Sequence, residues 1–140
     1  MSVPYVQREA FRAPDNGKSY LAEVLRLDYT FDSTELTLNI PADATHPVLL
    51  FDIAHIVRVL FSGGTPSIDV GDGSDPDGYI DTLSITEGDA GDLAYARDKD
   101  NSEALSKGAY LTTNGKIVVT VGGSPTAGEA TVLAFLYRLA

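Results

Sequence analysis

Asp72, Asp75 and Asp77 stand in a run of turn-forming residues that also holds Gly71, Gly73, Pro76 and Gly78. Closely spaced carboxylates ahead of a glycine are the chemistry of a calcium loop, whose pattern is D-x-[DN]-x-[DN]-G. The match is partial. Gly73 occupies the first ligand position, and Ser84 stands where the bidentate glutamate belongs. Calcium takes about six to eight oxygens, so these three carboxylates could hold a cation only in another geometry. The expectation is an acidic solvated turn and no metal, with Asp72, Asp75 and Asp77 the residues to examine for a cation.

His46 and His55 are the two histidines. An imidazole metal site would need both, with a carboxylate such as Asp43 or Asp52. His46 precedes Pro47 and reads as loop; His55 reads as a hydrogen-bonded position at the edge of a strand. Nucleophilic catalysis finds no support, because neither G-x-S-x-G nor S-x-x-K occurs. Nothing singles out a catalytic carboxylate pair among 20 acids, and no enzyme activity is expected. With no cysteine, disulfides, thiolate zinc sites and cysteine nucleophiles are excluded. No cofactor is implied. Seven tyrosines and no tryptophan make a poor carbohydrate platform, and buried tyrosines with satisfied hydroxyls are the commoner case.

The elements that position these residues are strands. Around the acidic turn, Ile68 and Val70 precede, and Ile80, Leu83 and Ile85 follow: strand, sharp connection, strand. Leu25, Leu27, Tyr29 and Phe31 alternate with polar residues, as do Leu36, Leu38 and Ile40, and the two runs read as a hairpin. Residues 48–61 admit a helix with Leu49, Ile53, Ile56 and Leu60 on one face. Their β-branched content favours two strands instead, 48–53 and 56–61. Asn114-Gly115 signals a tight hairpin turn ahead of Ile117, Val119 and Val121. Residues 129–139 form a closing strand that is apolar on both faces, so it is central in a sheet or meets another subunit. Residues 86–106 are a polar excursion, with a short helical turn expected near 101–106. Short strands without crossover helices point to an all-β antiparallel sandwich, jelly-roll-like, over residues 21–140. Residues 1–20 read as an extended N-terminal arm with apolar anchors such as Tyr5 and Phe11.

The chain of 140 residues is long enough for one domain with a core. Its net charge of −10 repels phosphate backbones, so no nucleic-acid partner is expected. The charge is uneven. Arg8, Arg12, Lys18 and Arg26 lie early, whereas 69–100 is dominated by acids. No run reaches the roughly 18 apolar residues of a membrane span, and no signal-peptide core opens the sequence. No membrane partner or export is expected.

The pattern SIDVGDGSDPDGYI at 67–80, the polar excursion after it, GAYLTTNGKI at 108–117 and TAGEATV at 126–132 together resemble small structural proteins of tailed-bacteriophage virions, of the head-decoration (cement) or head-fibre kind. The resemblance covers roughly residues 24–140 and rests on turn and strand patterns. It implies a β-sandwich body, self-association, often as trimers, and binding to the outer surface of the major capsid protein. It also implies a place on the capsid exterior after synthesis in the host bacterial cytoplasm. Tyr5, Arg8, Phe11 and Arg12 would then be the capsid contacts, and Leu133, Phe135 and Tyr137 the self-association surface. The alternative is a tail- or fibre-associated module that binds host-surface glycans through loops at 71–79 and 86–107.

Overall fold

A computed structural model describes residues 5–12, 19–84, 93–95 and 109–139. They form ten strands in two antiparallel sheets, with no helix among the described residues. The strands are β1 (Tyr5–Arg12), β2 (Ser19–Thr30), β3 (Glu35–Ile40), β4 (Val48–Ser62), β5 (Ser67–Gly71), β6 (Ile80–Ser84), β7 (Leu93–Tyr95), β8 (Ala109–Leu111), β9 (Gly115–Gly122) and β10 (Ala127–Leu139). The larger sheet runs β1-β2-β10-β4-β7, with β8 also on β4; the smaller runs β3-β9-β5-β6. The helical turn expected near 101–106 lies outside the described residues.

The β-sandwich expected from the alternation is the one observed. Odd-numbered Leu25, Leu27 and Tyr29 of β2 are buried, as are even-numbered Ala130, Val132, Ala134 and Leu136 of β10. They meet Leu38 and Ile40 of β3, Ile68 and Val70 of β5, and Ile117 and Val119 of β9 in one cluster. A period of two puts each set on a single face. The two faces exclude water from one another.

Strand partners differ from expectation in two places. β2 and β3 are not a hairpin: β2 pairs with β1 and β10, and β3 pairs with β9 in the other sheet. Residues 31–34 carry the chain across the sandwich, so the buried faces of the two strands meet across the core. Alternation specifies which face is buried, and either arrangement buries it. Asn114-Gly115 is likewise a crossing between sheets, because β8 pairs with β4 while β9 pairs with β3 and β5. Gly115 does not take positive φ. Asn114 acts through its side chain, whose Oδ1 accepts the Ala42 N–H at 3.0 Å.

The two strands expected in 48–61 are one 15-residue strand. Val48 and Leu50 are buried on even numbers; Ile53, His55 and Val57 are buried on odd ones. The register against β10 slips between Asp52↔Phe135 and Leu50↔Leu136. Phe51 is therefore the extra residue of a β-bulge, which changes the parity without ending the strand. The Asp52 carboxylate accepts the Ile53 N–H at 2.8 Å beside it. β10 lies at the centre of the larger sheet, between β2 and β4, the first of the two places its apolar faces suggested.

Candidate interaction surfaces

The solvent-side face of the larger sheet is divided. Opposed residues of an antiparallel pair point to the same face, so the registers define rows. One row is Asp28, Thr131 and Ile56; another is Ala22, Tyr137, Leu49 and Tyr110. The first lies in a polar band. Asp28 accepts bonds from Arg26 Nε at 2.8 Å and Thr131 Oγ1 at 2.6 Å, and Arg58 pairs with Glu129 at 3.4 Å. Desolvation is the largest single influence on Asp28 and acts upward, but the bonds from Arg26 and Thr131 hold its carboxyl below the usual carboxylate range.

The second row lies in an apolar strip. Leu133, Phe135 and Tyr137 are half-buried along β10. Phe51, pushed out by its bulge, stacks on Tyr137 with ring centroids 4.8 Å apart and contacts Phe135 at 6.1 Å. Leu49 continues the strip to Tyr110 on β8, which is 62% exposed. The three residues expected to mediate self-association thus share one face, and the structure adds Phe51, Leu49 and Tyr110. The bulge that brings Phe51 there has no periodic signature in the sequence.

Tyr5, Arg8, Phe11 and Arg12 lie in β1, which pairs with β2 from Tyr5↔Arg26 to Arg12↔Ser19. They belong to a strand at the border of the larger sheet.

At one end of the smaller sheet the acidic turn folds on itself. Asp72 Oδ1 accepts the N–H groups of Ser74 at 2.7 Å and Asp75 at 2.8 Å. The Asp75 carbonyl accepts the N–H groups of Asp72 and Gly78, and the Tyr79 N–H returns to the Val70 carbonyl at 2.8 Å. One Asp72 oxygen is thereby committed to shaping the turn, an Asx arrangement. Among the described residues no three His, Asp or Glu side chains gather to hold a metal. The turn forms one wall of a cleft of about 300 Å³, with Asn114 and Lys116 opposite. Burial first and the Asp72 charge second push the Tyr79 hydroxyl above the usual phenol range.

The histidines occupy different surroundings. His46 is exposed, and its N–H, with that of Thr45, bonds Asp43 Oδ1. His55 is 1% exposed and lies in the middle of β4, not at the strand edge expected for it. Its Nε2 is 2.5 Å from the Tyr29 hydroxyl. Burial lowers the His55 pKa to about 4 and raises that of Tyr29.

A second buried polar group escaped the sequence reading. Glu23 is 2% exposed, and both its oxygens face the Arg138 guanidinium, at 2.9 and 3.3 Å. Arg138 also donates to the Pro41 carbonyl at 2.6 Å. Glu23 shares the odd parity of Leu25, Leu27 and Tyr29, and carrying that pattern back by one step would have placed it inside.

No protein-family model matches the chain, and no curated protein matches it. Solved structures do. One is a chain in the acidic stable capsid structure of Helicobacter pylori bacteriophage KHP30, with a TM-score of 0.61 and 14% identity over 95% of this chain and 94% of that one. Another is a chain of the cyanophage Pam1 capsid asymmetric unit, with a TM-score of 0.65 and 16% identity over 93% of both. At these identities the likeness is one of fold, and it extends over nearly the whole of each chain.

Proposed function

We propose that this chain is a structural protein of a bacteriophage virion, associated with the capsid and without enzymatic activity. The observation that carries the reading is the near end-to-end agreement of the two-sheet fold with chains from two phage capsid structures. The surfaces support it. The apolar strip with Leu133, Phe135 and Tyr137 serves self-association, with a trimer the favoured state. The β1 residues Tyr5, Arg8, Phe11 and Arg12 contact the outer surface of the major capsid protein. Several weak attachments per oligomer would add to a firm one by multivalency. The role is decoration of the capsid exterior, stabilising the shell between neighbouring capsomers.

Immunogold labelling of particles, with antibody raised against the folded chain, tests this. Label spread over the head is expected. Label confined to the tail tip would overturn it.

The cleft between the acidic turn and Lys116 favours one second reading, a tail- or fibre-associated module binding host-surface glycans. Binding on a glycan array together with tail label would establish it; head label and a silent array would remove it.

A further inference from the structure

Among the described strands β3 is an edge strand, hydrogen-bonded to β9 alone from Glu35↔Thr120 to Ile40↔Gly115 with no bulge. The Val121 N–H donates to the Thr34 carbonyl at 2.9 Å, which sets the phase of the ladder. Hydrogen-bonded pairs alternate in antiparallel strands. Thr34, Leu36, Leu38 and Ile40 therefore turn their backbone groups toward β9. Glu35, Thr37 and Asn39 turn their N–H and C=O groups away from it. No group of the described residues bonds to them there. The side chains of the same three residues are exposed.

Natural edges are usually guarded by lysine, proline, a bulge or a covering segment. Within β3 there is none of the first three; Glu35 is its only charge, and Pro41 comes after its last residue. The strand is also nearly neutral in a chain of net charge −10, whose copies otherwise repel one another.

We propose that β3 pairs with β3 of a second copy, antiparallel and centred on Thr37, joining the smaller sheets of the two copies into one. In that register Glu35 faces the second copy's Asn39, Leu36 faces its Leu38, and Thr37 faces its Thr37. All three outward-facing residues then meet outward-facing residues, each pair closing two N–H···O bonds. On the exposed side the threonines form a favourable cross-strand pair and the glutamates stay apart. On the core side, half-buried Leu36 is covered by the second copy's Leu38. Other registers lose a pair, and the one centred on Glu35 sets two carboxylates face to face. A single strand pair is smaller than a standard stable interface. The contact is therefore weak between free chains and strong where copies are held side by side, as multivalent attachment would hold them. The proposal stands on the geometry of β3 and does not depend on where in a particle the protein sits.

The absence of native cysteine makes the test clean. Hydrogen-bonded antiparallel positions bring Cα atoms to about 5.5 Å, within disulfide range. Full-length Thr37→Cys chains are expected to oxidise to a covalent dimer roughly tenfold or more faster than Glu35→Cys or Asn39→Cys chains alone, as paired thiols share a high effective concentration. Mixing the Glu35→Cys and Asn39→Cys chains should restore fast cross-linking, with the mixed dimer dominant. Equal rates at all three positions, no dimer from Thr37→Cys, or a merely statistical mixture would overturn the pairing. So would cross-linking of Thr37→Cys in assembled particles to a different protein only. Circular dichroism of each variant establishes that it is folded; a variant that is not is replaced by Thr37→Lys, which should abolish weak dimerisation in sedimentation if the pairing is real and leave it unchanged if not.

Discussion

The Tyr29 hydroxyl and His55 Nε2 lie 2.5 Å apart, and both side chains are sealed in the core. The pair joins β2 to β4 across the intervening β10, and the Phe61 ring packs on Tyr29 at 5.9 Å. Its energetics depend on pH. Unfolded, His55 titrates near 6.5; folded, burial lowers that to about 4. Between these values the unfolded chain binds the proton and the folded chain does not. Stability therefore falls as pH drops through this window, by up to ~3 kcal/mol, and is fully present above about pH 6.5. Urea denaturation from pH 7 to 4 should show the loss, and a His55→Gln chain should show a flatter profile. Tyr29→Phe leaves the imidazole without its partner and should cost about 1–3 kcal/mol at pH 7.

The Glu23–Arg138 pair makes a different prediction. Glu23 is almost wholly enclosed, whereas the Arg138 side chain is 18% exposed. Removing the cation takes from a buried carboxylate the guanidinium that faces both its oxygens, so Arg138→Met should destabilise by about 3–5 kcal/mol in chemical denaturation. Replacing both, as Glu23→Leu with Arg138→Met, should recover most of that loss. The double variant also forfeits the bond to Pro41, so recovery is expected to be incomplete.

Gly128 sits at φ +133°, and a Cβ there would lie 2.4 Å from the Phe61 ring. Phe61 is 1% exposed and has no room to retreat. Gly128→Ala should cost about 2 kcal/mol or more, combining backbone strain with overpacking. Pairing it with Phe61→Ala, which removes the clashing Cγ and both Cδ atoms, should relieve the clash and leave the strain. Thermal denaturation of both single variants and the double variant would separate the strain from the cost of the cavity.

The apolar strip predicts association without a change of fold. Tyr110 is largely exposed, so Tyr110→Asp should shift stability by no more than ~0.5 kcal/mol. If the strip mediates self-association, the same change should lower the sedimentation coefficient toward that of one chain. An unchanged oligomer would remove the strip from that role.

At the acidic turn, Asp72→Ala removes the acceptor of two backbone N–H groups and should cost about 1 kcal/mol. Asp72→Asn keeps an oxygen there and should cost less. If the turn held a cation, added calcium would raise the Tm of the native chain, and Asp72→Asn would abolish the rise.

What was legible in the sequence was local. Leu25, Leu27 and Tyr29 announced a half-buried strand because period two is a property of one strand alone. Gly71 to Gly78 announced a connection because turn residues act through their own backbone. Pairing was not legible, since the burial of Leu36 and Leu38 is the same whether β3 lies beside β2 or across from it. The Phe51 bulge was illegible for a related reason. It is a mismatch between two strands, and 48–61 shows only a broken alternation. The candidate surface followed suit: Leu133, Phe135 and Tyr137 could be read from one strand, but Phe51, Leu49 and Tyr110 join them only through register.

The central place of β10 has a consequence in time. The larger sheet needs residues 127–139 between β2 and β4, and a ribosome makes them after every other described strand. Until they emerge, β2 and β4 have no common neighbour, and their apolar faces cannot be sealed. Contacts this distant in sequence form slowly. The sandwich is thus closed only once this last of the described strands has been made, and chains interrupted before it lack the strand that joins β2 to β4. Only a chain that includes β10 can carry the closed form into an assembly.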